Sequence, residues 1–102
     1  MKRVVRAEPE ADQDVQDAAM WYDSERAGLG EDFVNDIHQL TARIAENALQ
    51  FPVVRDVARR GILSKFPYGV YFVVENGIAV VIAVIHLHRD STAWTERLKK
   101  DG

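Results

Sequence analysis

The sequence predicts an α+β fold, in which one strand and two helices are followed by three strands. Two observations lead to this prediction. Apolar residues recur at helical spacing before Pro52, whereas long apolar runs typical of strands follow it. Two of these runs flank Asn76-Gly77, a pair that suits the positive-φ positions of a tight β-hairpin turn. The predicted order is therefore β-α-α-β-β-β, with an antiparallel helical hairpin packed on one face of a mostly antiparallel sheet.

The first half of the chain predicts one strand and two amphipathic helices. Residues 2–7 (KRVVRA) predict the strand. Pro9 suits the first position of a helix, because its missing N–H needs no partner there. The break at 27–32 contains Gly28, which can end a helix in the left-handed conformation. The predicted apolar faces of the two helices consist of Val15, Ala18, Ala19 and Tyr22, and of Phe33, Ile37, Leu40, Ile44 and Ala48.

The second half of the chain predicts three strands and a polar tail. Residues 57–66 and 68–75 predict two of the strands, and 78–88 predict a third that is almost wholly apolar. Such a strand is typical of a sheet that is covered on both faces. Asp90 or Ser91 is a candidate cap for a short C-terminal helix. The residues of this half that we expect mainly in the core are Ile62, Leu63, Phe66, Val70 and Phe72.

Length and composition restrict the class of protein. The 102 residues suffice for a single domain, which we assign to 1–102. No cysteine is present, which excludes disulfides and thiolate metal sites. The N-terminus lacks the apolar stretch of a secretion signal, and the longest apolar run, 78–85, is too short to span a membrane. We therefore expect a cytoplasmic protein.

Charge is distributed unevenly along the chain, whose net charge is −3. Residues 1–50 contain five Lys or Arg and eleven Asp or Glu, whereas residues 51–102 contain eight and five. An acidic front half and a basic back half produce a polarised field, which can orient a charged partner. Ordinary solvated surfaces are the alternative explanation of the same pattern.

Three stretches together resemble the RelE/ParE superfamily of bacterial toxins, whose members are often described as plasmid stabilisation proteins. These stretches are AAMWYDSERAGLGEDF (18–33), RRGILSKFPYGVYF (60–73) and AVIHLHRDSTAW (83–94). The resemblance covers nearly the whole chain. It implies the toxin of a type II toxin–antitoxin module, held in a hetero-oligomer by a cognate, ParD-like antitoxin whose C-terminal segment wraps around it.

The resemblance leaves the target of the toxin open. RelE-like members cleave mRNA in the ribosome, whereas ParE-like members cause growth arrest by inhibiting DNA gyrase. RNA cleavage requires cations, an acid and a base around the scissile phosphate. The candidates for these roles are Arg60, Lys65, His86 and Arg89.

The net negative charge favours the ParE-like branch, because RelE-like enzymes are usually strongly basic. In that branch no catalytic residue is expected, and the protein acts by binding gyrase. A non-toxic protein that only binds an antitoxin is a third possibility.

A contact surface for the target or the antitoxin is expected on the basic C-terminal half. Adjacent Arg59 and Arg60 point to opposite faces of a strand, so at least one of them is a solvated charge or pairs with an acidic helix. His86 and His88 share a strand face, but no third metal ligand is evident, and we expect neither metal nor cofactor. Trp94 either contacts the target or docks the C-terminal tail onto the sheet. The candidate contact residues are Arg59, Arg60, Lys65, Tyr68, His88, Arg89, Trp94 and Arg97.

Overall fold

A five-stranded sheet lies between two helical layers in a computed structural model of the chain, which describes residues 2–89 and 92–101. The elements are β1 (Val5–Ala7), α1 (Pro9–Glu25), α2 (Leu29–Asn47), a 3-10 turn (Ala48–Gln50), β2 (Val53–Arg55), β3 (Ala58–Ile62), β4 (Tyr68–Glu75), β5 (Ile78–His86) and α3 (Thr92–Asp101). The predicted α+β class and element order are confirmed. The short strand β2 was not predicted, because its three residues are all exposed and show no alternation.

The helical hairpin forms as the sequence predicts. Pro9 begins α1, which ends at Glu25 with Arg26 in an extended conformation, so Gly28 does not end this helix as predicted. Gly28 instead precedes α2, with a φ of 93° in the predicted left-handed region. Gly30 is required for a different reason, since a Cβ there would lie 2.5 Å from the carbonyl oxygen of Ala19. Its N–H also donates a hydrogen bond to Asp23 Oδ1 at 2.8 Å. The two helices therefore cross at closest approach over Gly30.

The sheet has the order β1-β5-β4-β3-β2, with β1 parallel to β5 and the remaining pairs antiparallel. At the β4–β5 turn, Asn76 and Gly77 have φ values of 51° and 79°, which confirms the predicted hairpin. The register shifts between Tyr71 and Phe72, so that Ile82 is an extra residue on β5. This β-bulge redirects the side chains and the backbone groups of the last part of β5.

Each face of the sheet carries its own apolar core. The predicted apolar stripe of α2 is buried against one face, together with Phe72. On the other face, Trp94 of α3 stacks on Tyr71, with ring centroids 4.4 Å apart. Tyr71 and Phe72 thus point to opposite faces and are both buried, and β5 is covered on both sides as predicted.

Ile62 corrects the predicted core. Its side chain is 47% exposed, whereas Leu63 is buried and Phe66 packs partly against the hairpin core. Ile62 pairs with Gly69 at the end of β3, and α3, which packs on β5, does not cover it. The predicted cap at Asp90 or Ser91 falls outside the described residues. Among the helices that the structure describes, none is both long and apolar enough to cross a membrane.

Candidate binding groove

A groove of about 750 Å³ lies between α1 and the last part of β5. The strand β1 pairs with β5 only at Ala79–Val81, although β5 continues to His86. Within the described ranges, no strand covers this side of β5 after Val81. The groove thus follows the part of the edge of β5 that β1 does not cover, with α1 as its wall.

An ion pair between α1 and α3 closes one end of the groove. Arg97 Nη1 lies 2.6 Å from Asp14 Oδ2, and Arg97 Nη2 lies 3.2 Å from Asp14 Oδ1. The same two side chains bind the bulge, since Arg97 also donates to the carbonyl of Ile82 and the N–H of Val84 donates to Asp14. The hydrogen bond to Asp14 raises the pKa of Arg97, against the opposite effect of burial. Both charges are therefore used inside the protein.

Aromatic side chains form the wall of the groove on α1. Tyr22 lies at their centre, with its ring centroid 5.5 Å from that of Phe33 and 4.8 Å from that of Phe66. Burial raises the pKa of the Tyr22 phenol, and the nearby Tyr68 adds to this shift. Trp21 contacts the edge of Tyr22 but is 57% exposed. The inner part of the wall belongs to the core, and Trp21 is its accessible part.

A cluster of basic and aromatic side chains lies at the other end of the groove. The ring centroid of His86 is 5.3 Å from that of Tyr68 and 5.4 Å from that of His88. The backbone N–H of His88 donates to His86 Nδ1 at 3.1 Å, so the neutral His86 ring carries its proton on Nε2. Arg89 is exposed and also lines the groove.

Tyr68 connects this basic end with the core. Burial is the main cause of the raised pKa of its phenol, Arg89 opposes the shift, and Asp14 adds to it. Tyr68, half-buried, packs against Phe33 with ring centroids 5.0 Å apart. The predicted contact residues Tyr68, His88 and Arg89 do come together here, although the aromatic ring of Tyr68 is shared with the core.

Arg60 lies on the other face of the sheet from His86. A Cβ placed on Gly69 would lie 3.0 Å from Arg60 Cδ and 3.1 Å from Tyr71 Cε1, so Arg60 extends over Gly69 beside Tyr71. His86 instead contacts Tyr68, whose side chain packs on the helical hairpin. The sheet therefore separates Arg60 from His86, and the four residues predicted for RNA cleavage do not share one pocket.

Three of the predicted contact residues have partners inside the protein. Arg59 Nη1 donates to the carbonyls of Phe51 and Leu49, at 2.7 and 3.3 Å. Trp94 is buried against the sheet, as its alternative role predicted, and Arg97 binds Asp14. The sequence did not show these contacts, since each joins elements that are distant along the chain or brought together by a turn.

Asp36 is a buried acidic residue that the sequence analysis missed. Its side chain is 3% exposed and accepts the backbone N–H groups of Lys65, at 2.8 Å, and Ser64, at 3.3 Å. These bonds attach the β3–β4 loop to α2, while the side chain of Lys65 stays exposed. The available signal was the position of Asp36 between Phe33 and Leu40 on the apolar stripe of α2.

Among residues 2–89 and the described part of α3, no three His, Asp or Glu side chains gather as ligands around one point. The third histidine of the chain, His38, is exposed on α2.

Comparison with known proteins identifies a structural neighbour. No protein-family model and no curated protein sequence matches the chain. A solved structure does match: a chain of the "Chromosomal ParDE TA system from P. aeruginosa", with a TM-score of 0.76 and 15% sequence identity. The alignment covers 85% of this chain and 98% of that chain. The protein therefore has the fold of a chain of a ParDE toxin–antitoxin system.

Proposed function

We propose that this protein is the toxin of a type II toxin–antitoxin module, that it inhibits DNA gyrase by binding, and that a cognate antitoxin neutralises it. The observation that carries the proposal is the shared fold over nearly the whole length of a chain from a ParDE system. The three sequence stretches that resemble the RelE/ParE superfamily occur in the hairpin, in β3–β4 and in β5, and support the same proposal.

The position of the cationic side chains favours binding over RNA cleavage. Arg60 lies across the sheet from His86, so these two residues cannot act on the same phosphate in this conformation. The groove beside His86 also contains the exposed carboxylate of Asp17, which repels an RNA backbone. A target that is recognised through a protein surface fits these charges better.

The first experiment is induction of the chain without an antitoxin in a bacterial host, with pulse labelling of DNA and protein synthesis in the first minutes. We expect DNA synthesis to fall first, and the purified protein to inhibit supercoiling by gyrase. Supercoiling that is unaffected at a large molar excess of the protein would refute gyrase as the target. A normal growth rate during induction, with soluble and folded protein present, would indicate a non-toxic relative.

A charge-reversal pair tests where the target binds. Arg89→Glu changes an exposed charge at the groove, whereas Arg55→Glu changes an exposed charge on β2, at the far edge of the sheet. We expect the first variant to lose most of the gyrase inhibition and the second to keep it. Equal inhibition by both variants would exclude the groove as the gyrase contact.

RNA cleavage is the second candidate function, because Tyr68, His86 and Arg89 do line the same groove. It predicts that protein synthesis falls before DNA synthesis and that new mRNA 5′ ends appear on translating ribosomes. In that case the double variant His86→Ala/His88→Ala should abolish the new ends, since the groove would then contain no histidine for proton transfer. Unchanged mRNA ends after induction would eliminate this candidate.

A further inference from the structure

We propose that the groove between α1 and β5 binds a short extended peptide segment with a cationic residue at one end and an acidic residue at the other. The cation lies at Asp17, the acid at His88 and Arg89, and an apolar side chain between them packs on Trp21. The segment belongs to the antitoxin, so the identity of this partner, though not the peptide site, rests on the proposed function.

The two ends of the groove differ in charge. At one end, Asp14 is paired with Arg97, whereas Asp17 is exposed and accepts a hydrogen bond from Gln13. At the other end, Arg89 is exposed and no carboxylate among the described residues lies within 4 Å of its guanidinium. The arrangement is complementary to an occupant with opposite charges at its ends, and it disfavours a uniformly charged chain such as RNA.

Trp21 provides the apolar contact. It is 57% exposed in an otherwise packed aromatic wall, and tryptophan is among the residue types most enriched where binding energy concentrates. Met20 is exposed too, at 71%, but it does not line the groove. A comparison of variants at Trp21 and Met20 therefore distinguishes a specific contact at Trp21 from non-specific apolar binding to α1.

The backbone of β5 restricts how the segment binds. The carbonyl of Ile82 and the N–H of Val84 already bond to Arg97 and Asp14, so a strand cannot add there without displacing these side chains. From Asp17 to Trp21, α1 rises about 6 Å, which is the length of about two extended residues. The segment is therefore held mainly by its side chains, and a five-residue peptide with a cation at its first residue and an apolar side chain at its third matches the spacing of Asp17 and Trp21.

The experiment uses three synthetic peptides, acetyl-KVFVE-amide, acetyl-KVFVK-amide and acetyl-EVFVE-amide, titrated into the purified chain and followed by amide chemical shifts. We expect KVFVE to bind in the millimolar range, at least about threefold tighter than the other two. The shifts should fall on residues of the groove, and the Val84 amide should keep its slow hydrogen exchange. Shifts elsewhere on the protein, or equal binding of all three peptides, would overturn the proposal.

Charge variants provide the sharper test. Asp17→Lys should make EVFVE the tightest ligand, and Arg89→Glu should make KVFVK the tightest. Asp12→Lys changes an exposed charge of α1 that does not line this groove, and it should leave KVFVE first. Trp21→Ala should weaken KVFVE about tenfold and Met20→Ala should not, with the folded state of each variant checked by its amide spectrum. A preference order that these charge changes do not alter would refute the polar orientation.

Two further outcomes separate this inference from its alternatives. If a short oligouridylate binds to the same residues more tightly than KVFVE does, the ligand of the groove is RNA and the peptide proposal is refuted. If the chain binds the peptide but is not toxic on induction, the peptide site is supported and the proposed toxin function is refuted. If it is toxic but does not bind the peptide, the toxin function is supported and the peptide site is refuted.

Discussion

The Asp14–Arg97 ion pair is expected to be one of the largest single polar contributions to stability in this protein. Asp14→Ala removes two hydrogen bonds to Arg97 and leaves the N–H of Val84 without its acceptor. The two side chains are only 14% and 22% exposed, so water replaces these bonds incompletely. Hydrogen bonds to charged groups contribute about 1.5–3 kcal/mol, and breaking a buried pair costs about 3–5 kcal/mol.

The partial exposure of Arg97 and its remaining bond to the carbonyl of Ile82 place the cost near the lower limit, at about 3 kcal/mol. Alanine is the better helix former by roughly 0.6 kcal/mol, which reduces the net loss to about 2–2.5 kcal/mol. Urea denaturation should show this loss as a lower midpoint with an unchanged m value. The control is Glu46→Ala, which breaks an exposed ion pair with Lys2 and should cost less than about 0.5 kcal/mol.

A double-mutant cycle with Arg97→Ala isolates the interaction between the two side chains. We expect a coupling free energy of about 1.5–2 kcal/mol. A coupling near zero, or an Asp14→Ala variant as stable as Glu46→Ala, would show that the pair does not hold α3 to α1, and would refute this account of how the bulge is stabilised.

Three further variants test other features of the fold. Asp36→Ala should cost about 2–3 kcal/mol and speed amide exchange at Lys65, because two N–H groups lose a charged acceptor; unchanged exchange there would contradict the role of Asp36. Gly30→Ala should lower the melting temperature, although alanine normally stabilises helices, because its Cβ would meet the Ala19 carbonyl; a higher melting temperature would disprove the close helix crossing. The raised pKa of Tyr68, above its ordinary value of 10.0, predicts stability that is complete below pH 10 and is lost as the pH rises through the folded-state pKa. Tyr68→Phe should therefore reduce the alkaline loss in a pH series of thermal melts, and an identical pH dependence in both proteins would contradict the burial of the phenol.

The local elements were predictable because their signals lie in neighbouring residues. Helical spacing of the α2 stripe, the left-handed conformation of Gly28 and the turn at Asn76-Gly77 each depend on a few residues in sequence, and all three are confirmed, although Gly28 precedes α2 and does not end α1. The exposed strand β2 has no such signal, because its side chains neither alternate nor enter the core. Ile62 was wrongly assigned to the core, since the apolar character of a residue does not show whether a helix covers that end of the sheet.

The candidate site was predictable only in part. The sequence identified Tyr68, His88 and Arg89 as candidates for one surface, and the structure brings them together with His86. It did not reveal that α1 supplies the opposite wall, because Trp21 and Asp17 are more than 60 residues away from Val84 of the groove along the chain.

The sequence alone determined the fold class, the helical hairpin, the central apolar strand and the excess of positive charge in the second half, because each depends on composition or on local periodicity. Only the tertiary structure decided which charges remain available. Arg59 and Arg97 donate hydrogen bonds to acceptors within the protein. Arg60 lies on the opposite face of the sheet from His86, and Arg89 is exposed. The physical reason is that a charged side chain has the same pattern in sequence whether water or a buried carboxylate solvates it, and only its neighbours in space distinguish the two.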